Sequence, residues 1–152
     1  MIIPDVNLLL YATVTGFPQH EPARAWLEDA LNGSTLVGLT SPAIFGYIRI
    51  ATNGRVLTSA MPVTDATDRV RLWLAQPNVR FVVPGPGHLE IAFGLLEAIG
   101  AAANLTTDAQ LAAHAIEQDA DLCSNDTDFG RFPGLRWTDP LRQSGTSGVP
   151  SA

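Results

Sequence analysis

At 152 residues, 46% of them hydrophobic, the chain has the length of one domain with room for a buried core. All nine basic residues are arginine, which excludes mechanisms built on a P-loop lysine, a Schiff-base lysine or a lysine steadying an aspartyl-phosphate. A net charge of −6 argues against a sequence-independent DNA coat, and leaves open a nucleic-acid enzyme whose acids gather in a metal site and whose arginines line its rim.

The start, Met1 to Asn7, lacks the basic residues and long apolar run of a signal peptide. Because no uncharged apolar stretch of about 18 residues follows, the expected setting is the cytoplasm with no membrane span. Met1 to Pro4 reads as a first strand, followed by Asp5-Val6-Asn7 and an apolar turn from Leu8 to Tyr11. From Pro22 to Leu31 the spacing of Ala23, Trp26, Leu27, Ala30 and Leu31 predicts an amphipathic helix. A second strand is expected near Thr35 to Thr40, and Ser41-Pro42 offers an N-cap and first-turn pair for a helix through Ala51. Val63 to Leu74 is a further helix with Val70, Trp73 and Leu74 inward, and Asn78 to Val83 is strand-like. After the turn Pro84 to Gly87, His88 to Ile99 is helical, with Leu89, Phe93 and Leu96 on one stripe.

The last third is the most informative. Asn104 to Asp108 leads into a helix of Ala109 to Gln118; Asp121 to Ser124 is a short strand, Asn125 to Phe132 a polar loop, and Leu135 to Trp137 an edge strand. Cys123 has no partner in the chain and reads as core, which excludes a disulfide framework. His20, His88 and His114 show no paired zinc spacing, and His114 reads as a helix-surface or core residue. Residues 143–152, small and polar, read as a disordered or vector-derived tail, so the expected domain is 1–142. Alternating strand and helix patterns predict an α/β fold with a mainly parallel central sheet.

Asp5 follows the first strand, Asp126 the last buried one, and Asp108 opens a helix. In a parallel sheet the carboxyl ends of strands meet at one edge, so three acids far apart in sequence become neighbours. Such a cluster repels itself unless a cation or protons neutralise it, and hard oxygen donors favour Mg²⁺ or Mn²⁺ over zinc. Asp108 at a helix N-terminus is expected to be held ionised by the helix dipole. A second reading stays open, in which these aspartates are turn formers or helix caps. Asp128 and Asn125 share the loop of Asp126; the run lacks the glycine and glutamate of a calcium-binding EF-hand loop. Asn7 and Thr107 are candidates to fix the carboxylates by hydrogen bonds.

Four pieces in order, Pro4 to Tyr11, Arg49 to Asn53, Asn104 to Ala113 and Cys123 to Phe129, followed by Arg131 to Leu135, resemble the VapC toxins of bacterial type II toxin-antitoxin pairs, which are PIN-domain ribonucleases. The resemblance implies a three-layer α/β/α sandwich and Mg²⁺- or Mn²⁺-dependent endonucleolytic cleavage of RNA. It also implies a homodimer and a cognate antitoxin that inserts near the active site. By the same resemblance Asp5, Asp108 and Asp126 match metal-site acids and Asp128 an acid often beside them. Many members carry a glutamate where this chain has Gly46, and no acid occurs between Asp29 and Asp65 to replace it. Gly46 is read either as a subfamily trait or as a change that tames a toxic protein, and a single tightly held ion is expected to suffice.

Arg49 and Arg131 are candidates to hold the RNA strand, against the reading of solvated arginines. Trp73, Trp137 and the Phe45–Tyr47 pair belong either to the core or to a partner face. Two rival functions stand beside this one. An aspartyl-phosphate phosphatase needs a second aspartate where Asn7 stands, and a lysine. A catalytically weakened module that only binds antitoxin or RNA is kept alive by Gly46.

Overall fold

The computed structural model describes residues 1–142; the segment read as a tail, 143–152, lies outside them. Five strands, β1 (Ile2–Pro4), β2 (Val37–Thr40), β3 (Val79–Val82), β4 (Asp121–Cys123) and β5 (Trp137–Thr138), form one sheet in the order β3-β2-β1-β4-β5. Every neighbouring pair is parallel. Six helices connect or flank them: α1 (Val6–Thr13), α2 (His20–Asn32), α3 (Ser41–Ala51), α4 (Val63–Leu74), α5 (His88–Ile99) and α6 (Thr106–Glu117). All four residues of β2 are buried, the mark of a strand covered by helices on both faces. The result is the parallel α/β sheet expected from the alternating pattern, in the α/β/α sandwich that the resemblance implied. Ile3, Leu9, Leu39, Tyr47, Leu111, Leu122 and Phe129 lie at its centre.

Several local readings need correction. Leu8 to Tyr11 is no turn but part of the helix α1, in which Val6, Leu8, Leu9, Leu10 and Ala12 are all buried. A helix enclosed on nearly every side shows no amphipathic period, which is why its leucine run was unreadable. The N-cap of α3 is Thr40, one residue earlier than expected; its hydroxyl accepts from the Ala43 N–H at 3.3 Å, and Pro42 follows in the first turn. On α5 the inward residues are His88, Ala92 and Leu95, while Leu89 and Phe93 of the expected stripe face solvent, 63% and 47% exposed. Residues read as a polar loop include a 3-10 turn, Thr127–Arg131, anchored by the fully buried Phe129. The edge strand sits at Trp137–Thr138, shifted by two residues at its start.

The strand order also locates the crevice. From β1 the chain moves out through β2 and β3, then returns to the other side of β1 with β4 and β5. The boundary between β1 and β4 is therefore the switch point, where the carboxyl ends of parallel strands open a binding cleft.

Candidate metal-binding active site

Register brings the first two acids together. Pro4 pairs with Cys123, and the Asp5 N–H donates to the Cys123 carbonyl at 2.9 Å, so Asp5 lies beside the residues that leave β4. Asp5 is 4% exposed. The next residue along β4 is Ser124, fully buried, whose hydroxyl donates to Asp5 Oδ2 at 2.7 Å and accepts from the Asp126 N–H at 2.9 Å. One hydroxyl, acting as donor and acceptor at once, thus ties the first acid to the backbone of the second. Asp126 in turn caps the 3-10 turn, its Oδ1 accepting from the Asp128 N–H at 2.9 Å. Beyond Ser124, no side-chain donor among the described residues meets the Asp5 or the Asp126 carboxylate.

Asp108 arrives from α6 as the third residue of its first turn. Burial pushes its carboxyl up to about 7, and the charges of Asp5, Asp126 and Asp128 push the same way. Burial likewise raises Asp5 to about 6, against the Ser124 bond and the N–H groups of Val6 and Asn7; the charge of Asp126 adds to the rise. The expectation that the helix terminus would hold Asp108 firmly ionised is overturned, because burial and three like charges outweigh the dipole. Four acids from the start, the later part and the closing loop of the chain therefore share one electrostatic neighbourhood.

The other residues read from the sequence divide. Asn125 donates its side-chain amide to Asp139 at 3.0 Å rather than to the acids, and the side chains of Asn7 and Thr107 make no hydrogen bond among the described residues. Asp128 is exposed and touches the site through its backbone N–H. Arg49 is exposed on α3, where it lines a groove of about 220 Å³ with Pro42, Phe45, Gly46, Thr107 and Gln110. Arg131 is exposed at the end of the 3-10 turn. Trp73 and Tyr47 are core, 5% and 0% exposed, while Phe45 on α3 is 65% exposed. Cys123 is buried and its thiol is pushed up to about 12, which leaves it inert.

Gly46 is explained by packing. A Cβ at this position would lie 2.8 Å from Cγ2 and 3.3 Å from Cγ1 of Val6, the buried residue next to Asp5. Here α3 approaches α1 so closely that a glutamate would have to displace a β-branched core side chain.

Two features escaped the sequence reading. Ser124 has only the weak signal of a hydroxyl at a strand end two residues before an acid. The second is a set of metal-type side chains elsewhere: His88, His114 and Glu117, with ligand atoms within 4.8 Å of one another. Among the described residues no trio of the aspartates reaches that spacing. The donor chemistry nevertheless fits a hard dication: carboxylate oxygens that meet no side-chain donor beyond Ser124, and carboxyl groups whose ionisation is opposed by burial and mutual repulsion until positive charge arrives.

An open parallel sheet with acids gathered at its switch point defines a class of α/β domains, and the sequence profile of the PIN domain matches residues 2–135. The chain belongs to the PIN domain family. It is similar to ribonuclease VapC33 of Mycobacterium tuberculosis, 60% identical over 143 residues that cover 94% of this chain and 100% of the relative. Ribonuclease VapC37 of the same organism is 40% identical over 92% of this chain and 97% of its own length. Among solved structures, VapBC-1 from nontypeable Haemophilus influenzae superposes with a TM-score of 0.65 at 18% identity, covering 93% of this chain and 100% of that one. No helix among the described residues is long and apolar enough to cross a membrane.

Proposed function

We propose that this chain is a divalent-metal-dependent endoribonuclease that serves as the toxin of a type II toxin-antitoxin pair. The observation that carries this reading is the convergence of Asp5 and Asp126 at the carboxyl ends of the neighbouring strands β1 and β4, tied through Ser124, with Asp108 of α6 close enough that burial first, and then the charges of Asp5, Asp126 and Asp128, raise its carboxyl. The similarity to ribonucleases VapC33 and VapC37 supports RNA as the substrate, and the similarity to VapBC-1 supports an antitoxin partner.

Asp5, Asp108 and Asp126 would hold one Mg²⁺ or Mn²⁺, with Asp128 beside them. When bound, the ion supplies Lewis-acid polarisation of a phosphodiester. Ser124 keeps the Asp5 carboxylate turned into the cleft, where it would orient the attacking water and accept its proton. Arg49, in the groove that runs past Thr107, and Arg131 hold the strand through its phosphates. The water's oxygen replaces one ester oxygen at phosphorus, so that the phosphodiester becomes a phosphate monoester and a free hydroxyl, the leaving oxygen taking its proton from solvent.

The remaining parts of the reading concern assembly and setting. Exposed Phe45 on α3, Phe81 on the edge strand β3, and Leu89 and Phe93 on α5 supply apolar surface for a homodimer face. The protein acts in the cytoplasm, where both RNA and antitoxin are found.

Total cellular RNA incubated with the purified chain, with and without Mg²⁺ or Mn²⁺, tests the proposal alongside Asp5→Asn. Cation-dependent fragments that disappear in the variant are expected. Fragments that persist in the variant would expose a contaminant, and intact RNA under every cation condition would reject the nuclease.

A further inference from the structure

Away from the acids, α5 and α6 bring a different set of donors together. His88 is the first residue of α5, and His114 and Glu117 lie near the end of α6. One ligand atom from each falls within 4.8 Å of the other two. The imidazole rings stack with centroids 4.2 Å apart and a tilt of 40°.

Both histidines are deeply buried, 6% and 2% exposed, yet the Nδ1 atom of each lacks a hydrogen-bond partner. Buried ring nitrogens are ordinarily satisfied, so two orphans side by side call for an occupant. Glu117 is already oriented: its Oε1 accepts from the Gly85 N–H at 3.0 Å and stands 3.3 Å from His88 Nδ1 without the alignment of a bond. A ligand carboxylate fixed by a backbone donor is the usual support around a metal.

We propose that His88, His114 and Glu117 form a second metal site, separate from the acidic cleft, that takes a borderline dication of the Zn²⁺ class and staples α5 to α6. Two imidazole nitrogens and one carboxylate suit such an ion, whereas the all-oxygen cleft suits Mg²⁺. Three protein ligands leave a fourth position for water. A groove of about 340 Å³ bounded by Pro42, Phe45, Pro84 and Gln110 opens onto both histidines and provides the entry path. Binding draws the donors inward toward the Zn–N distance of about 2.0–2.1 Å. Because Asp108 and His114 share α6, with roughly 9 Å of helix between them, the staple also fixes the element that carries the third acid.

The test uses the full chain, freed of metal by a chelator and titrated calorimetrically with Zn²⁺ and, separately, with Mg²⁺. One equivalent of Zn²⁺ should bind and raise the melting temperature, and should still bind to Asp5→Asn and Asp126→Asn. Binding of this equivalent should be lost in Glu117→Gln, which preserves an acceptor for Gly85, and in His88→Gln. Absence of Zn²⁺ binding, its loss in Asp5→Asn, or its survival in both Glu117→Gln and His88→Gln overturns the site. Should either variant fail to fold by circular dichroism, X-ray absorption of the Zn²⁺-loaded native chain decides: imidazole ligation supports the proposal, and oxygen-only coordination overturns it.

Discussion

A single buried hydroxyl does two jobs at Ser124, orienting the Asp5 carboxylate and capping the Asp126 N–H. Replacing it by alanine strands both partners in a buried setting, so Ser124→Ala should cost about 1–3 kcal/mol in stability. It should also lower RNA cleavage or apparent metal affinity by roughly 10–100-fold, the usual effect of removing a group that orients a ligand. Cleavage rates measured against Mg²⁺ concentration check this; an unchanged profile would show that Asp5 needs no such support. Asp5, Asp108 and Asp126 could be singled out as candidates because each stands where a strand ends or a helix begins. Ser124 and Asp139 were not, because what matters about them is a contact across the β1–β4 register and one across the 3-10 turn, and neither leaves a trace in local spacing.

Helix packing decides which glycines are needed. Gly94 of α5 is exposed and an added Cβ would meet nothing within 4 Å, so Gly94→Ala should stabilise the protein by about 0.5–1 kcal/mol through helix propensity alone. At Gly46 the same gain competes with a 2.8 Å approach to Val6, and overpacking of about 1–3 kcal/mol wins. Gly46→Ala should therefore be destabilising, and the penalty should shrink or vanish in a Val6→Ala background. Denaturant unfolding of the double-mutant cycle measures that coupling; additivity would mean that the close approach is unimportant. At this scale the sequence was informative wherever a helix has one apolar face, as in α2 and α4, with Ala23, Leu27, Val70 and Trp73 buried as read. It misled where a helix is enclosed, as in α1. On α5 the large residues point outward while His88, Ala92 and Leu95 turn toward the protein. The pairing of His88 with His114 depends on how two helices dock, so spacing within either one could not announce it.

Across the molecule, buried titrating groups pull stability in opposite directions with pH. Asp5 and Asp108 have folded-state values of about 6 and about 7 against 3.8 for the free carboxyl, so their contribution is complete below 3.8 and lost as pH rises through 6 and 7. His114 is depressed from 6.5 to about 4; its contribution is present above 6.5 and lost as pH falls through 4. The two effects oppose each other between these limits, and above pH 6.5 the acids dominate. Metal-free protein should consequently melt lower at pH 7.5 than at pH 6.5, and saturating Mg²⁺ should remove the difference. Asp108→Asn should raise the metal-free melting temperature at pH 7.5 by about 2–8 °C, the span for 1–2 kcal/mol in a chain of this size. Calorimetric scans with chelator test both statements; a flat profile in the native chain, or a variant that melts lower, would show that repulsion among the acids is not what destabilises it.

The central strand of the sheet is the first to be synthesised, and one of its two neighbours, β4, is among the last. Asp5 therefore leaves the ribosome long before Asp126, and the cleft between them stays open-ended until nearly the entire described chain has emerged. Fragments that end before residue 121 lack β4 and the loop of Asp126, and so cannot assemble the cleft. Such late closure makes cleft assembly part of the slow step that long-range parallel pairing imposes on folding.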